Sequence, residues 1–584
     1  MKWVTDESVT NCRKCGNRFG IFTRKHHCRS CGYIFCSLCL NTSKYCRFCI
    51  LNPTSFYNLS ILFSILPLTL KEYYRLSLVD KTFSTICKSL LRKIYNVFYN
   101  QVLTKFTIND SHTYLINQQH LLTTKNIQLN YILKTKCSYY HSIKPIILES
   151  HLSFFSIVDI LILLFLEPMY IPSCSKFLFT FSTEEWIPFI HVFIYLYGHK
   201  NIDFDMKSFI LHHTQSTVFI NTVFWYLLYY IRNPIYQNTI GKIYNQLLSD
   251  ILHNVDSDIY QLFLQFNDFS NNLIKQLYLQ NDLLEIQTYL EKQPLLMKLP
   301  ICKNIRVNGI DVTNIQVLQS SNKPVLIPFF TNNNISKHIL LKKGVSEKEM
   351  IVMKSIQQID FLLKREKKLD LRITCYDIIP LFRNYGFLEM ISHCHTLEYI
   401  KNTKKMTIQN FIMQESDITY QEFKDHITKS LAGFCCIQYF LGIGDRHLEN
   451  ILITNNGDIF HIDFEYILGQ EPEHVLIKNP IKLTYDMLDA IGNINSDNFQ
   501  VFLDYCIQSF QCIRKHYVLF YINFINIENL QESTILNFVK ERFFLDSTEY
   551  EACQLFKNCI LNNLNNVTSN LVDYLHTYTK KFYN

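Results

Sequence analysis

The sequence predicts a multidomain protein: a small two-zinc finger, an all-α helical scaffold and an α+β domain. Three observations predict it. The first 50 residues hold eight cysteines in four CxxC pairs. Residues from 51 to about 300 show helical periodicity with very few glycine or proline punctuators. Beyond them, short strand-like runs with turns alternate with helical stretches and carry two motifs dense in histidine and acid, Gly442-Ile443-Gly444-Asp445-Arg446-His447-Leu448-Glu449-Asn450 and His461-Ile462-Asp463-Phe464. At 584 residues the chain exceeds one ordinary core, and 48% hydrophobic residues with 14% aromatics can fill several. Only 14 glycines and 14 prolines are present, so helices should dominate the bulk.

The net charge of +7 is too modest to suggest nucleic acid. It is uneven: residues 1–50 hold nine Lys/Arg against two acids, which suits a phosphorylated surface. Met1-Lys2-Trp3 leads directly into polar sequence, so no signal peptide is expected. The apolar runs from Phe154 to Leu166 and from Val218 to Ile231 are too short to span a bilayer and read as buried helices. The twelve cysteines outside the first 50 residues have no pairing rhythm, as expected of a reducing interior.

In the N-terminal segment the pairs are Cys12/Cys15, Cys28/Cys31, Cys36/Cys39 and Cys46/Cys49. Each CxxC turn presents two sulfurs to one ion, so eight thiolates make two tetrahedral Zn²⁺ sites. So short a segment buries little core, and metal binding would supply its folding free energy, on the order of 10 kcal/mol or more per site. Spacing alone leaves RING-like, LIM-like and FYVE-like modules open. The intervening residues separate them: Trp3-Val4-Thr5-Asp6 and the basic run Arg24-Lys25-His26-His27-Cys28-Arg29-Ser30-Cys31-Gly32 resemble the WxxD and R(R/K)HHCRxCG stretches of the FYVE zinc finger over residues 1–52. The resemblance implies interleaved ligands, with Cys12, Cys15, Cys36 and Cys39 on one ion and Cys28, Cys31, Cys46 and Cys49 on the other. It also implies that Arg24, Lys25, His26, His27 and Arg29 bind phosphatidylinositol 3-phosphate, and that Ile21 and Phe22 insert into the membrane. Charge-assisted donors suit a dianionic phosphate, and histidine contacts would strengthen binding at mildly acidic pH. One departure is Lys44 where the family has arginine, which keeps the charge but loses bidentate geometry.

Residues 53–200 read as a helical region of unknown role. Residues 201–300, with Phe209-Ile210-Leu211 and Phe224-Trp225-Tyr226-Leu227-Leu228, resemble the helical accessory domain that precedes lipid-kinase cores.

From 301 to 584 the order of parts resembles a phosphatidylinositol 3-/4-kinase catalytic domain, closest to class III phosphatidylinositol 3-kinases, which implies a two-lobed α+β fold. Val317 to Pro324 reads as strand, turn, strand and resembles the family's phosphate loop, so Ser320, Ser321 and Lys323 would touch ATP. Lys342, on the strand Ile339 to Gly344, would reach the ATP phosphates, and Tyr376 and Glu389 would line the nucleotide site. The DRHxxN and HIDF motifs imply His447 as base, Asp445 as positioning group, and Asn450 and Asp463 as Mg²⁺ ligands, since phosphoryl transfer needs charge neutralisation and a group to take the nucleophile's proton. Two departures stand out. Glu465 replaces the glycine after Asp-Phe. The acid that pairs with the ATP lysine falls on Met350 within Val345-Ser346-Glu347-Lys348-Glu349-Met350, so Lys342 would lose its partner unless Glu349 or Glu347 substitutes.

The segment from Glu471 to Pro480 carries two acids and few bases and should not attract extra phosphates, which implies unphosphorylated phosphatidylinositol as substrate. The final stretch, with Tyr574, Tyr578, Lys580 and Lys581, has an interfacial character that a core-docking helix would share. Together the resemblances imply a lipid kinase phosphorylating the inositol 3-hydroxyl with ATP, Mg²⁺ (or Mn²⁺) and two structural zinc ions. Its finger would bind the product, and its helical region would offer a surface for regulatory proteins. They imply an intracellular protein, peripheral on endosome-like membranes, without nucleic-acid partners. A phosphatidylinositol 4-kinase and a catalytically weak or inactive membrane adaptor are the alternatives.

Overall fold

The structure, a computed structural model, describes residues 4–20, 23–28, 33–40, 156–166 and, with short interruptions, 171–564. Residues 41–155, 474–478 and 565–584, which include most of the 53–200 region and the final stretch with Tyr574, Tyr578, Lys580 and Lys581, lie outside the described residues. The chain divides into two compact units, Met1–Leu166 with Pro172–Phe177, and Glu167–Ile171 with Leu178–Asn584.

The first unit contains the finger. Its strands β1 (His26–His27) and β2 (Ile34–Phe35) pair antiparallel, with His26 opposite Phe35 and His27 opposite Ile34. Cys12, Cys28, Phe35, Cys36 and Cys39 form its buried centre, with Phe19 and Leu40 packed against them. Four of these five buried residues are cysteines, as expected where metal replaces an apolar core. The unit also contains α1 (Ile157–Leu166), the predicted buried helix. Its one acid, Asp159, is 2% exposed and accepts hydrogen bonds from the Ser156 amide (2.8 Å) and hydroxyl (2.7 Å), which offsets the cost of burying it. Among the described residues no helix is long and apolar enough to cross a membrane.

The second unit begins with helices α2 (Thr183–Trp186), α3 (Ile190–His199), α4 (Met206–His212), α5 (Thr217–Arg232), α6 (Ile240–Leu252) and α7 (Ser257–Gln280). The cap residues explain their starts. Ser182 and Glu185 form a capping box on α2, and Asp205 and Ser216 accept first-turn amides of α4 and α5. Trp186 stacks on Phe193 (centroids 5.3 Å) and meets Phe209 edge-on (4.9 Å). Helices on both sides of residue 201 thus share one aromatic core.

A seven-stranded antiparallel sheet follows, ordered β3-β4-β6-β7-β9-β8 with β5 added to β6. Its strands are β3 (Met297–Lys298), β4 (Arg306–Ile310), β5 (Gln316–Val317), β6 (Val325–Thr331), β7 (Ser336–Lys343), β8 (Ile378–Pro380) and β9 (Tyr385–Glu389). The long helix α8 (Glu347–Leu362) enters directly after β7. The other lobe consists of α9 (Ile408–Glu415), α10 (Tyr420–Leu441), α11 (Tyr485–Ile491), α12 (Asp497–Arg514), α13 (Tyr517–Ile525), α14 (Glu532–Arg542) and α15 (Glu549–Leu564). A small antiparallel sheet joins it, ordered β10 (Cys394–Thr396), β11 (Ile451–Thr454), β12 (Ile459–His461). The expected two-lobed α+β architecture is present.

Candidate active site and metal centre

The site starts from the end of α10. A capping box of Thr419 and Glu422 starts this helix, and Gly442, at φ +59°, stops it. A β-carbon on Gly442 would collide with the backbone nitrogen of Gly469, so only glycine fits. The chain then runs through Asp445 to Asn450 into the hairpin β11–β12, and Asp463 follows at its end. Asp445 (φ +48°) and Asp463 (φ +66°) both hold left-handed backbones, which single residues at functional turns adopt when their surroundings enforce it.

Those surroundings are visible. The segment after Asp463 zips onto the α10 terminus: Gly444 N–H donates to the Tyr466 carbonyl (2.9 Å), Leu468 N–H to Leu441 (3.0 Å) and Gly469 N–H to Gly442 (2.9 Å). Glu471 completes the clamp. Its carboxylate accepts the Asp445 amide (2.8 Å) and the Arg446 guanidinium (2.5 Å), and Arg446 also donates to the Asn479 carbonyl (2.7 Å). The Arg446 and Glu471 side chains are 8% and 5% exposed, so the pair is buried. Burial holds the guanidinium below its ordinary basicity while Glu471's charge works the other way. Of the two acids in the segment from Glu471 to Pro480, Glu471 is thus neutralised within the fold and Glu473 is left exposed.

His447 lies on this loop with Nε2 3.7 Å from an Asp445 carboxylate oxygen and Nδ1 3.9 Å from one of Glu449. Asn450 is fixed from two sides: its side-chain amide donates to the Asp445 carbonyl (3.1 Å), and its own carbonyl accepts the Ile462 amide (3.1 Å). This second bond ties the loop to the residue just before Asp463. His461 stacks on Phe434 (4.2 Å) deep in the lobe, where burial, reinforced by Arg446, pushes its pKa far below the ordinary histidine value. It is structural.

Across the cleft, Lys342 Nζ donates to Asp463 Oδ2 at 3.1 Å and lies 3.7 Å from Glu349 Oε1. Burial would lower the lysine's pKa, but the two carboxylates outweigh it and hold it above the ordinary value. Glu349 therefore takes the place expected at Met350, and Lys342 does not lack an acid. Glu347, the other possible substitute, is buried elsewhere and accepts the Tyr230 hydroxyl.

Other expected nucleotide contacts are distributed unevenly. Tyr376 is buried beside the cleft, its ring parallel to Phe464 (6.5 Å, 16°) and its hydroxyl 3.4 Å from the His461 carbonyl. The Glu389 side chain accepts the Asp377 amide (3.1 Å), and Glu389 shares with Tyr376 the lining of a cavity beside α8. Lys323 is exposed in the β5–β6 turn with φ +42°, and Ser320 and Ser321 lie outside the described residues.

In the finger, the Sγ atoms of Cys12, Cys15, Cys36 and Cys39 lie within 4.8 Å of one another. This is the interleaved set the resemblance implied, and four sulfurs so gathered fit one tetrahedral Zn²⁺. The Cys36 amide donates to Cys12 Sγ (3.3 Å); burial raises the Cys12 thiol pKa, yet amide donors outweigh it and bring it to about 6, which favours the ligating thiolate. Cys28 is buried beside this set, whereas Cys31, Cys46 and Cys49 lie outside the described residues, as do Ile21, Phe22 and Arg29. Arg24 is exposed. The Lys25 ammonium donates to the Asp6 carbonyl, and His27 Nε2 is 2.7 Å from the Val4 carbonyl and 3.6 Å from the Asp6 carboxylate. The WxxD segment thus braces the basic strand, a contact between distant residues that spacing does not disclose.

A lysine–carboxylate cluster facing an Asp-Arg-His-x-x-Asn loop, between a twisted sheet and a helical lobe, defines a two-lobed phosphotransferase domain. Comparison with known proteins agrees. Residues 401–527 match the family model for phosphatidylinositol 3- and 4-kinase, and residues 2–57 match that for the FYVE zinc finger. The chain carries a catalytic domain of the phosphatidylinositol 3- and 4-kinase family together with a FYVE zinc finger. It is 33% identical over 307 residues to phosphatidylinositol 3-kinase VPS34 of Candida glabrata, an alignment covering 50% of this chain and 34% of the relative. It is 26% identical over 376 residues to phosphatidylinositol 3-kinase pik3 of Schizosaccharomyces pombe, covering 61% and 46% respectively. With VPS34 of Saccharomyces cerevisiae it shares 29% over 301 residues, covering 48% and 33%. The matched region thus spans a third to just under half the length of these relatives.

Proposed function

We propose that this chain is a phosphatidylinositol 3-kinase whose finger binds the phosphatidylinositol 3-phosphate it produces. The observation that carries the reading is the Lys342–Glu349–Asp463 cluster, with Nζ 3.1 Å from Asp463, opposite the loop bearing Asp445, His447 and Asn450. Lys342 would hold the ATP phosphates. His447 would accept the proton of the attacking inositol hydroxyl, with Asp445 orienting the imidazole from 3.7 Å. Arg446 and Glu471 keep the loop in place by a buried pair.

Asn450 and Asp463 suit a magnesium ion. The Asn450 NH₂ is committed to the Asp445 carbonyl, which turns its carbonyl oxygen outward, and Asp463 spends one oxygen on Lys342. Magnesium bound there would neutralise phosphate charge. The relatives, named as phosphatidylinositol 3-kinases, favour the 3-hydroxyl. The paired Lys342 favours an active enzyme over an inactive adaptor. The basic strand, braced by the WxxD segment, favours recognition of a phosphorylated inositol headgroup on an endosome-like membrane.

The test is a lipid-kinase assay on purified protein with ATP, Mg²⁺ and phosphatidylinositol vesicles, followed by isomer analysis of the product. Phosphatidylinositol 3-phosphate is expected, and Asp463→Ala should abolish it. The 4-phosphate would replace this assignment with the 4-kinase one, and no product would leave the adaptor. Holding product on the surface raises the effective enzyme concentration there. Deleting residues 1–50 should therefore lower turnover on product-seeded vesicles and spare soluble ATP hydrolysis, whereas equal losses would remove the feedback.

A further inference from the structure

We propose that Tyr230, in the helical scaffold, is a positioning residue of the active site: its hydroxyl holds Glu347 in the first turn of α8 and so sets the rotation that aims Glu349 at Lys342. The inference rests on reading Lys342 as the nucleotide lysine.

The geometry of α8 carries it. At 3.6 residues per turn, residues two apart point about 200° from each other. Glu347 therefore faces the scaffold when Glu349 faces the cleft, as observed: Glu347 accepts the Tyr230 hydroxyl, and Glu349 lies 3.7 Å from Lys342. Met350 falls on the scaffold side, where it lines a cavity with Trp225 and Tyr226. The acid expected at 350 has moved one position along the helix, and the helix presents 349 to the cleft in its stead. Something must hold that rotation.

Apolar packing on the scaffold side does not do so along the middle of the helix. There a cavity of about 810 Å³ separates α8 from α2, α3 and α5, with Ile187, Trp225, Met350, Lys354 and Phe361 in its walls. Polar tethers bridge it at each end. At the far end Gln358 donates to the Pro188 carbonyl (3.0 Å), and Arg365 pairs with Glu185. At the near end the tether is Tyr230. Its ring is boxed by Tyr226 (5.2 Å), Tyr236 (4.9 Å) and Tyr244 (5.4 Å), and the Tyr244 hydroxyl is occupied by the Ile194 carbonyl (2.8 Å). Burial, with Glu347's charge adding, keeps the Tyr230 phenol protonated and able to donate. A carboxylate 2% exposed and two residues from Glu349 cannot shift without moving the acid that pairs with Lys342.

The test reads the lysine itself, so it does not depend on which lipid is phosphorylated or on turnover. Full-length protein is trace-acetylated with acetic anhydride, and labelling of Lys342 relative to exposed Lys343 is measured by mass spectrometry. Losing the Glu349 charge lowers the Lys342 pKa and frees more amine. Glu349→Gln should therefore raise the ratio by about 3- to 10-fold, and Tyr230→Phe, which keeps the ring and removes only the hydroxyl, should raise it comparably. The double variant should show no further rise, because both changes act on one pair. The proposal is overturned if Tyr230→Phe leaves the ratio at the wild-type value while Glu349→Gln raises it, if the two effects multiply, or if neither variant changes the ratio. Unfolding of Tyr230→Phe would appear as a general rise at buried lysines such as Lys424; substituting Glu347→Met, which keeps the size and removes the acceptor, must then reproduce the selective rise at Lys342. A wild-type protein that shows this pattern yet phosphorylates no lipid would remove the assigned function and leave the tether standing.

Discussion

Lys342 shows how one residue can be legible and its neighbour not. The lysine follows from a strand ending in Lys-Lys-Gly, but its partner depends on helix rotation, which a one-position shift conceals. Glu349→Gln should lower kcat/KM for ATP by about 10- to 100-fold, a loss of roughly 1.4–2.7 kcal/mol of transition-state binding. Adding Met350→Asp should not restore it, because position 350 faces the scaffold cavity; steady-state kinetics of the two variants decides. Arg446 and Glu471 make a second residue-scale case. Read along the chain, Glu471 is one acid in a polar loop, and only the fold shows it 5% exposed beneath the catalytic loop. Removing one partner of a buried ion pair strands the other, so Glu471→Gln should destabilise the second unit by about 3 kcal/mol. Arg446→Met with Glu471→Leu should cost less than either single change, as chemical denaturation would show.

Among the elements, α10 is the one that positions most of the site. Thr419→Ala removes its capping side chain and should cost about 1 kcal/mol with little change in turnover. Gly442→Ala should be far more damaging, because it meets both a left-handed backbone and the Gly469 amide; the two denaturation midpoints will separate clearly if this is right. The strand bearing Lys342, the strand-turn-strand before it, the helical scaffold and the interleaved thiolates were all readable in advance. Periodicity is a local property, whereas the meeting of Cys12 and Cys15 with Cys36 and Cys39 was implied by the FYVE resemblance rather than by spacing. What was not readable were meetings of distant segments: Tyr230 with Glu347, His27 with Val4 and Asp6, Gly469 with Gly442. The same holds for Trp186, which joins Phe209 across a stretch without a composition break.

For the molecule as a whole, buried histidines set the response to acid. Burial lowers the His191 pKa to about 3, Lys354 adding to the effect, and pushes His461 well below the ordinary value. Unfolded, both would protonate near pH 6.5. The unfolded state therefore binds more protons below that pH, and stability falls as acid is added below about pH 6.5, by about 1.4 kcal/mol per pH unit for His191 down towards pH 3, with His461 acting in the same direction. Urea midpoints at pH 7 and 5.5 should show the drop, and replacing His191 with an apolar residue of similar size should reduce it. Metal removal acts elsewhere. A chelator should unfold the finger and abolish binding to vesicles containing phosphatidylinositol 3-phosphate, while nucleotide binding by the second unit persists.

The crossed arrangement of thiolates also bears on how the finger is made. Cys12 and Cys15 leave the ribosome early but cannot close a cage until Cys36 and Cys39 have followed. The nascent chain must therefore carry open thiolates past the exit tunnel before its first ion is enclosed, and a truncated transcript ending between the two halves would give a peptide that competes for cellular zinc without ever folding around it.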